Sequence, residues 1–263
     1  MSSSTRDAVV ADPGGTLLAL DFDGTLAHIV DDPTRAYAHA DSIAALARLG
    51  TVLGQVAIIT GRPVRQALEL GGFAGRPGLE RLVIFGQYGA ERWDAEDGAT
   101  SEPDRPETIS RLADLLPGWL AEHGAEGVRI EDKGLAIALH TRGVDPRLLD
   151  SLASPVAELA AELGLVVEPG RQVIEVRGEG FDKGAALRTL ASSLHARQVI
   201  FGGDDLGDLP AFDAVDSLRD EGVRGLLICS ASSEQDALVS RSDVVLDGPD
   251  EVARWLTDLA DEF

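Results

Sequence analysis

The sequence has little of what several classes of protein need. Its single cysteine, Cys229, has no partner for an internal disulfide bond, and its position in an apolar run predicts a buried, inert thiol. No run approaches 18 consecutive apolar residues, which argues against a transmembrane helix. The first residues also lack the apolar core of a signal peptide, and these two absences predict a cytoplasmic location without a membrane partner.

Basic residues are also scarce. The 263 residues include 23 Lys and Arg against 45 Asp and Glu, a formal net charge of −22. A surface this acidic repels polyanions, so we expect no nucleic-acid partner. If the ligand is an anion, the positive charge that holds it must be local, either a metal ion or a few placed basic side chains.

Short apolar runs alternate with helical patterns in the first 100 and last 85 residues. Continuous apolar runs are typical of strands covered on both faces, and alternation with helices predicts a doubly wound α/β domain around a parallel sheet. The predicted strands are Thr16–Asp21, Gln55–Thr60, Leu82–Phe85, Gln198–Phe201, Gly225–Cys229 and Asp243–Leu246. The predicted helices are Ser42–Leu49, Pro63–Leu70, Lys183–His195 and Asp250–Leu259. Residues 2–15 are small and polar, which predicts a loose segment.

The middle of the chain follows a different pattern. A helix up to about Glu122 is followed by partly alternating residues over 127–142, a second helix over 146–163 and a hairpin over 165–177. This order predicts an α+β unit inserted into the first domain. We therefore expect a core of residues 1–104 and 178–263 and an inserted unit of residues 105–177.

Acidic residues follow two of the predicted core strands. Asp21 and Asp23 stand in Asp21-Phe-Asp-Gly-Thr, and Asp204, Asp205 and Asp208 stand in Gly203-Asp-Asp-Leu-Gly-Asp. Ligands of open α/β sheets bind at the edge where these strands end. Five carboxylates there would repel one another, and Mg²⁺, which prefers oxygen ligands, resolves that conflict. The structural alternatives are an ordinary Asp-Gly turn and a solvated acidic loop.

Two further segments suit a phosphate ester. Thr60-Gly61-Arg62 follows a predicted strand, where a hydroxyl and free backbone N–H groups can bind phosphate oxygens. Lys183 begins a predicted helix and can offset charge on a phosphoryl group and a carboxylate. Each signal is weak alone, and a surface lysine is the simpler interpretation of Lys183. Their order along the chain makes them informative.

The four motifs, Asp-x-Asp-Gly-Thr, Thr-Gly-Arg, Lys183 and Gly-Asp-Asp-x-x-Asp, together resemble those of the haloacid dehalogenase superfamily of phosphohydrolases. The insertion between the second and third motifs resembles the C2-type cap of that superfamily. Within it the chain is most similar to the trehalose-6-phosphate phosphatase family. That closer likeness is carried by Thr60-Gly-Arg-Pro63, Gly86-x-x-Gly-x-Glu91, Glu131-Asp-Lys133, His140-Thr-Arg142 and Gly170-Arg-x-x-x-Glu-Val-Arg177. Tyr88 stands where this family usually has His, and Gly207 and Leu209 replace its Thr and Glu.

The resemblance implies a role for each core residue. Asp21 would be the nucleophile that forms an aspartyl phosphate, and Asp23 would be the general acid and base. Asp204 and the Asp23 carbonyl would join Asp21 around Mg²⁺, with Asp205 and Asp208 as ligands or supporting groups. Thr60 and Lys183 would hold the phosphoryl oxygens, and Gly61 and Arg62 would contact the substrate.

The resemblance also implies how the cap selects a sugar. Glu131, Lys133 and Glu175 match positions at which the family binds glucose hydroxyls. The structural alternative is that they are ordinary solvent-facing residues of strands with an alternating pattern. His140 and Arg142 suit either cap structure or substrate contact.

The function implied is the hydrolysis of trehalose 6-phosphate. We expect the protein to be a monomer. Three alternatives remain open. The first is a phosphatase for another sugar phosphate, such as a glucosylglycerol, sucrose or pseudo-sugar phosphate. The second is a phosphomutase, and the third is a non-catalytic sugar-phosphate sensor or synthase partner.

Overall fold

A computed structural model describes residues 3–141, 145, 147–170, 173–231 and 236–263. Its strands are β1 Thr16–Leu20, β2 Gln55–Ile59, β3 Val83–Gly86, β4 Glu91–Asp94, β5 Thr100–Ser101, β6 Arg129–Asp132, β7 Ala136–His140, β8 Leu165–Gly170, β9 Val173–Gly178, β10 Gln198–Gly203, β11 Arg224–Ser230 and β12 Val244–Leu246. Its α-helices are α1 Ser3–Ala11, α2 Ala40–Leu49, α3 Val64–Gly71, α4 Glu107–Glu122, α5 Arg147–Glu162, α6 Lys183–Leu194, α7 Leu209–Asp220, α8 Asp236–Val239 and α9 Gly248–Ala260. No described helix combines the length and apolar character needed to cross a membrane.

The chain divides into two compact units. The first comprises Met1–Glu102 and Asp182–Phe263, and the second comprises Pro103–Phe181. The second unit is therefore an insertion into the first.

The first unit is built on one eight-stranded sheet in the order β12-β11-β10-β1-β2-β3-β4-β5. Strands β12 to β3 run parallel, and β4 and β5 add an antiparallel edge. β1 lies in the middle because the chain proceeds from it to β2 on one side, whereas β10 pairs with it on the other side. Such a reversal of strand order opens a crevice at the carboxyl edge of the sheet.

Alternating residues of β1 separate the two hydrophobic cores of this unit. Leu18 and Leu20 pack with residues of α2, α3 and α9, whereas Leu17 and Ala19 pack with residues of α6 and α7. All four side chains are at most 1% exposed. This two-sided burial explains the continuous apolar strands and confirms the predicted doubly wound α/β fold.

The second unit is a four-stranded antiparallel sheet in the order β6-β7-β9-β8, packed through one face on α4 and α5. Ile137 and Leu139 of β7 and Ile174 and Val176 of β9 face the helices. The opposite face carries the intervening, mostly polar residues, because successive side chains of a strand point to opposite sides. The predicted α+β character of the insertion is confirmed.

Two predictions about elements were wrong or incomplete. Ser3–Ala11 forms helix α1 instead of a loose segment, because Ala8 and Val9 are buried, at 5% and 1% exposure. Helix α7 and strands β4 and β5 were not predicted. β4 buries Glu91 and Trp93 but leaves Arg92 and Asp94 partly exposed, so it lacks the continuous apolar run that marks the central strands.

Candidate active site

Three neighbouring parallel strands deliver the predicted core residues to one edge of the sheet. β1 ends before Asp21, β2 before Thr60 and β10 before Asp204. The register pairs Leu20 of β1 with Ile58 of β2 and with Gly202 of β10, so the three ends are level. The Asp21 amide donates to the Gly202 carbonyl over 2.8 Å, which extends the β1–β10 ladder to the first acidic residue.

Three carboxylates meet at that edge. Oxygen atoms of Asp21, Asp204 and Asp208 all lie within 4.8 Å of one another. The three residues are 4%, 4% and 0% exposed. Lys183 Nζ donates to Asp21 Oδ1 and to Asp208 Oδ1, each at 2.7 Å, and is itself buried. The structure thus brings one ammonium and three carboxylates into a single buried cluster.

Helix α6 places Lys183 in this cluster. Lys183 is its first residue, and Asp182 caps the helix by accepting from the Ala185 amide over 2.7 Å. Gly184 lies against helix α7, where a Cβ would be 2.2 Å from the Pro210 carbonyl oxygen. The close approach of the two helices explains why a glycine follows the lysine.

The cluster contains more acidic groups than basic ones. Burial lowers the pKa of Lys183, but the charges of Asp208 and Asp21 outweigh it and hold that pKa well above its usual value. Burial, followed by the negative charges of Asp21, Asp205 and Asp208, raises the pKa of Asp204 to about 10. One ammonium is therefore not enough to keep all of these carboxylates ionised.

The loop that carries Asp204 is organised by Asp208. Asp208 Oδ2 accepts from the amides of Asp204 and Asp205 at 2.9 and 3.2 Å. Asp205 Oδ1 in turn accepts from the Gly207 amide at 2.9 Å, which completes a capping box around the 3₁₀ turn Leu206–Asp208. Asp208 thus accepts hydrogen bonds at both of its oxygens and fixes the position of Asp204.

Gly24 lets the two acidic motifs meet. Its φ is +72°, and a Cβ there would lie 2.0 Å from Asp204 Oδ2. The Gly24 carbonyl accepts from Ser230 Oγ over 2.6 Å, which ties the turn to β11. No other residue type fits both the backbone conformation and the space.

The Thr60-Gly61-Arg62 turn lies at the same edge. Thr60 is buried, and its Oγ1 accepts from the Arg62 amide at 3.1 Å. A Cβ at Gly61 would be 2.8 Å from the ring of Tyr88, whose φ is +60°. The Arg62 guanidinium is bound to Asp23, through Nε–Oδ2 at 2.6 Å and Nη2–Oδ1 at 2.7 Å.

A buried carboxylate to which the sequence analysis assigned no role supports this turn. Glu91, 6% exposed, accepts from the Val64 amide over 2.5 Å at the start of helix α3 and also from the Gln87 side chain. A negative charge at a helix N-terminus is stabilised by the free amides and the helix dipole. The only sequence signal for Glu91 was its place in the Gly86-x-x-Gly-x-Glu91 motif.

The described residues also account for Cys229. It is buried, and its pKa is raised to about 11, first by burial and then by the charges of Asp204 and Asp208. The structure confirms the prediction that this thiol is buried. That the thiol is inert stays a prediction.

The polar face of the second unit carries the predicted cap residues. Glu131, Ala138, Glu175 and Glu168 stand directly opposite one another across β6, β7, β9 and β8, so the three carboxylates share one row. Lys133 Nζ lies 2.5 Å from Glu175 Oε2.

Histidine and arginine side chains from the neighbouring rows contact two of these carboxylates. His140 Nε2 lies 2.6 Å from Glu131 Oε2, and Arg177 Nη2 donates to Glu168 Oε2 at 2.9 Å. The hydrogen bond from His140, followed by the charge of Lys133, lowers the pKa of Glu131 to about 2. Glu168 was not predicted, and Arg142 lies outside the described residues.

Comparison with known proteins agrees with this arrangement. A sequence model of the trehalose-phosphatase family matches residues 19–243. The trehalose-phosphate phosphatase of Mycobacterium marinum is 32% identical over 251 residues, which cover 92% of this chain and 61% of that protein. The chain therefore spans less than two thirds of the length of such relatives.

Solved structures share the fold. The C-terminal domain of C. albicans trehalose-6-phosphate phosphatase superposes with a TM-score of 0.78 at 19% identity and covers 99% of this chain and 97% of that one. A trehalose-6-phosphate phosphatase related protein gives a TM-score of 0.70 at 23% identity, over 93% of this chain and 97% of its own. With motifs, fold and family match in agreement, the chain belongs to the trehalose-phosphatase family.

Proposed function

We propose that the protein is a magnesium-dependent phosphatase that hydrolyses trehalose 6-phosphate through an aspartyl phosphate. The observation that carries this proposal is the buried cluster of Asp21, Asp204 and Asp208 around Lys183 at the carboxyl edge of the sheet. A buried group of like charges is costly unless it binds a ligand of opposite charge. The names of the relatives supply the sugar phosphate as the substrate class.

The oxygen-only donor set fits Mg²⁺, which is typically held by one or two carboxylates and substrate oxygens. Asp21, Asp204 and the Asp23 carbonyl would hold the ion. Asp208 accepts from Lys183 and two backbone amides, so its role would be to orient Asp204 and Lys183. When bound, the ion supplies positive charge next to the phosphoryl oxygens.

The chemistry would proceed in two steps. In the first, an Asp21 oxygen attacks phosphorus, the bond from phosphorus to the sugar oxygen breaks, and Asp23 gives its proton to that oxygen. In the second, Asp23 takes a proton from water, whose oxygen attacks the phosphorus and releases phosphate and Asp21. Lys183 and the Thr60 hydroxyl and adjacent amides would bind the phosphoryl oxygens in both steps.

The second unit would act as the cap that recognises the sugar. Glu131, Lys133 and Glu175 offer both donors and acceptors to hydroxyl groups, which themselves donate and accept. Within the described part of the chain, Glu175 Oε1 is buried without a hydrogen-bond partner. A sugar hydroxyl that donates to it would satisfy this oxygen.

The test is phosphate release from a panel of sugar phosphates, including trehalose 6-phosphate, sucrose 6-phosphate and glucosylglycerol phosphate, with and without excess chelator. We expect trehalose 6-phosphate to give the highest kcat/KM and chelator to stop turnover. Asp21→Asn should abolish turnover, whereas the exposed Asp220→Asn should behave as the wild type. Equal rates on every ester would refute the substrate, and activity in Asp21→Asn would refute the nucleophile.

The same panel separates the alternatives. A sensor would bind trehalose 6-phosphate without releasing phosphate. A phosphomutase would need a sugar bisphosphate and keep the phosphate in its product. The monomeric state and the cytoplasmic location stay predictions.

A further inference from the structure

Arg62 is engaged with Asp23 in a geometry that a phosphate contact does not require. Its guanidinium lies edge-on to the carboxylate, with Nε 2.6 Å from Oδ2 and Nη2 2.7 Å from Oδ1. Its third nitrogen, Nη1, donates to the Pro33 carbonyl at 3.0 Å. The guanidinium carbon also lies 5.6 Å from the centroid of the Phe22 ring.

The two partners differ in how firmly the rest of the protein holds them. The Arg62 side chain is 10% exposed, whereas the Asp23 side chain is 37% exposed. The Arg62 backbone is fixed on both sides, because its amide donates to Thr60 Oγ1 at 3.1 Å and its carbonyl accepts from the Gln87 amide at 2.9 Å. Arg62 is therefore the rigid member of the pair, and a paired fork of this kind fixes the plane of the carboxylate it binds.

We propose that Arg62 is a positioning residue that orients the Asp23 carboxylate for both proton transfers, instead of a ligand of the phosphoryl group. The inference rests on the proposed function, because it assumes that Asp23 gives a proton to the leaving oxygen and takes one from water. It replaces the substrate contact that the motif alone predicted for Arg62. A group that transfers a proton must be held in a fixed orientation, and the pairing with Arg62 fixes the carboxylate plane while it leaves a second lone pair on each Asp23 oxygen for the proton.

A substrate with a good leaving group separates the two roles. Nitrophenolate leaves 4-nitrophenyl phosphate without needing a proton, so the first step does not depend on Asp23, whereas attack of water on the aspartyl phosphate still does. A positioning residue therefore matters for the second step with this substrate and for both steps with trehalose 6-phosphate. A phosphate ligand matters for the first step with either substrate.

The experiment is rapid-mixing kinetics of Arg62→Met with Mg²⁺ and each substrate. With 4-nitrophenyl phosphate we expect a burst of about one nitrophenolate per folded protein at the wild-type rate, then steady turnover lowered on the order of 10- to 100-fold, within the usual range for proton-transfer catalysis. With trehalose 6-phosphate we expect a slow first turnover. Lys183→Met is the comparison, because a phosphate-binding residue should lose the burst itself.

Two further variants keep the test decisive. Asp23→Asn with Arg62→Met should be no slower than Asp23→Asn alone, since residues that act through one another are not additive. Arg62→Lys keeps the charge but not the fork, and should recover only part of the lost rate. The proposal is overturned if Arg62→Met loses the burst, if the double variant is slower than Asp23→Asn, or if Arg62→Lys matches the wild type. If the wild type itself turns over neither substrate, the proposed function fails.

Discussion

Lys183→Met is the substitution that tests the acidic cluster most directly. Methionine fills much of the same volume but removes the ammonium that lies 2.7 Å from both Asp21 and Asp208. The two carboxylates and Lys183 Nζ belong to side chains that are at most 5% exposed, so water cannot replace the lost contacts. The variant therefore leaves three buried carboxylates without a positive charge in their cluster.

The expected cost is large. Removal of one partner from a buried ion pair costs about 3–5 kcal/mol in the free energy of unfolding. Since a domain is stable by about 5–15 kcal/mol, the loss is a substantial share of the total. For a unit of this size it corresponds to a fall in Tm of about 6–20 °C. Mg²⁺ should restore part of the loss, because a bound cation neutralises the same carboxylates.

The assay is urea and thermal unfolding of wild type and variant, each in chelator and in Mg²⁺. Lys133→Met is the matched control, because Lys133 and Lys183 are the two lysines of the chain and both contact buried carboxylates. We expect Lys133→Met to be destabilised without a gain from Mg²⁺. The expected loss in the free energy of unfolding is about 3–5 kcal/mol. A loss of less than about 1 kcal/mol for Lys183→Met in chelator would therefore show that Lys183 does not stabilise the cluster.

Three other predictions concern separate parts of the chain. Gly24→Ala places a Cβ 2.0 Å from Asp204 Oδ2 at a φ of +72°, so we expect a loss of about 1–3 kcal/mol in urea unfolding and weaker Mg²⁺ binding by calorimetry. The pKa of Glu131 is lowered to about 2 by its bond to His140, so its contribution to stability is present above its unfolded pKa and is lost as pH falls through about 2. Glu131→Gln should therefore lower stability at pH 7 and less so at pH 3, measured by urea unfolding. Cys229 should resist alkylation in the native state and react in urea, followed by mass spectrometry.

Each of these has a result that contradicts it. Mg²⁺ binding and stability equal to wild type in Gly24→Ala would mean that Asp204 moves aside without cost. A Glu131→Gln effect that does not change with pH would mean that the carboxylate charge does not contribute. Rapid alkylation of native Cys229 would contradict its burial.

The central strands could be predicted because both of their faces lie in the same apolar environment. β1, β2 and β10 are covered on both faces, which selects continuous apolar runs that end abruptly at the polar edge. β4 and α1 were not predicted, because neither has this two-sided burial. Each is buried on one side only, and composition alone did not distinguish α1 from a loose terminus.

The sequence by itself determined which residues lie at the carboxyl edge of the sheet, where the candidate active site is. The carboxyl ends of parallel strands share one edge, so Asp21, Thr60 and Asp204 had to lie near one another once their strands were known. Only the tertiary structure decided which side chains pair there. Lys183 and Asp21 are 162 residues apart, and Arg62 and Asp23 are 39 apart. Their contacts depend on how helices pack on the sheet and which way each side chain points, and these are set by long-range packing instead of by spacing along the chain.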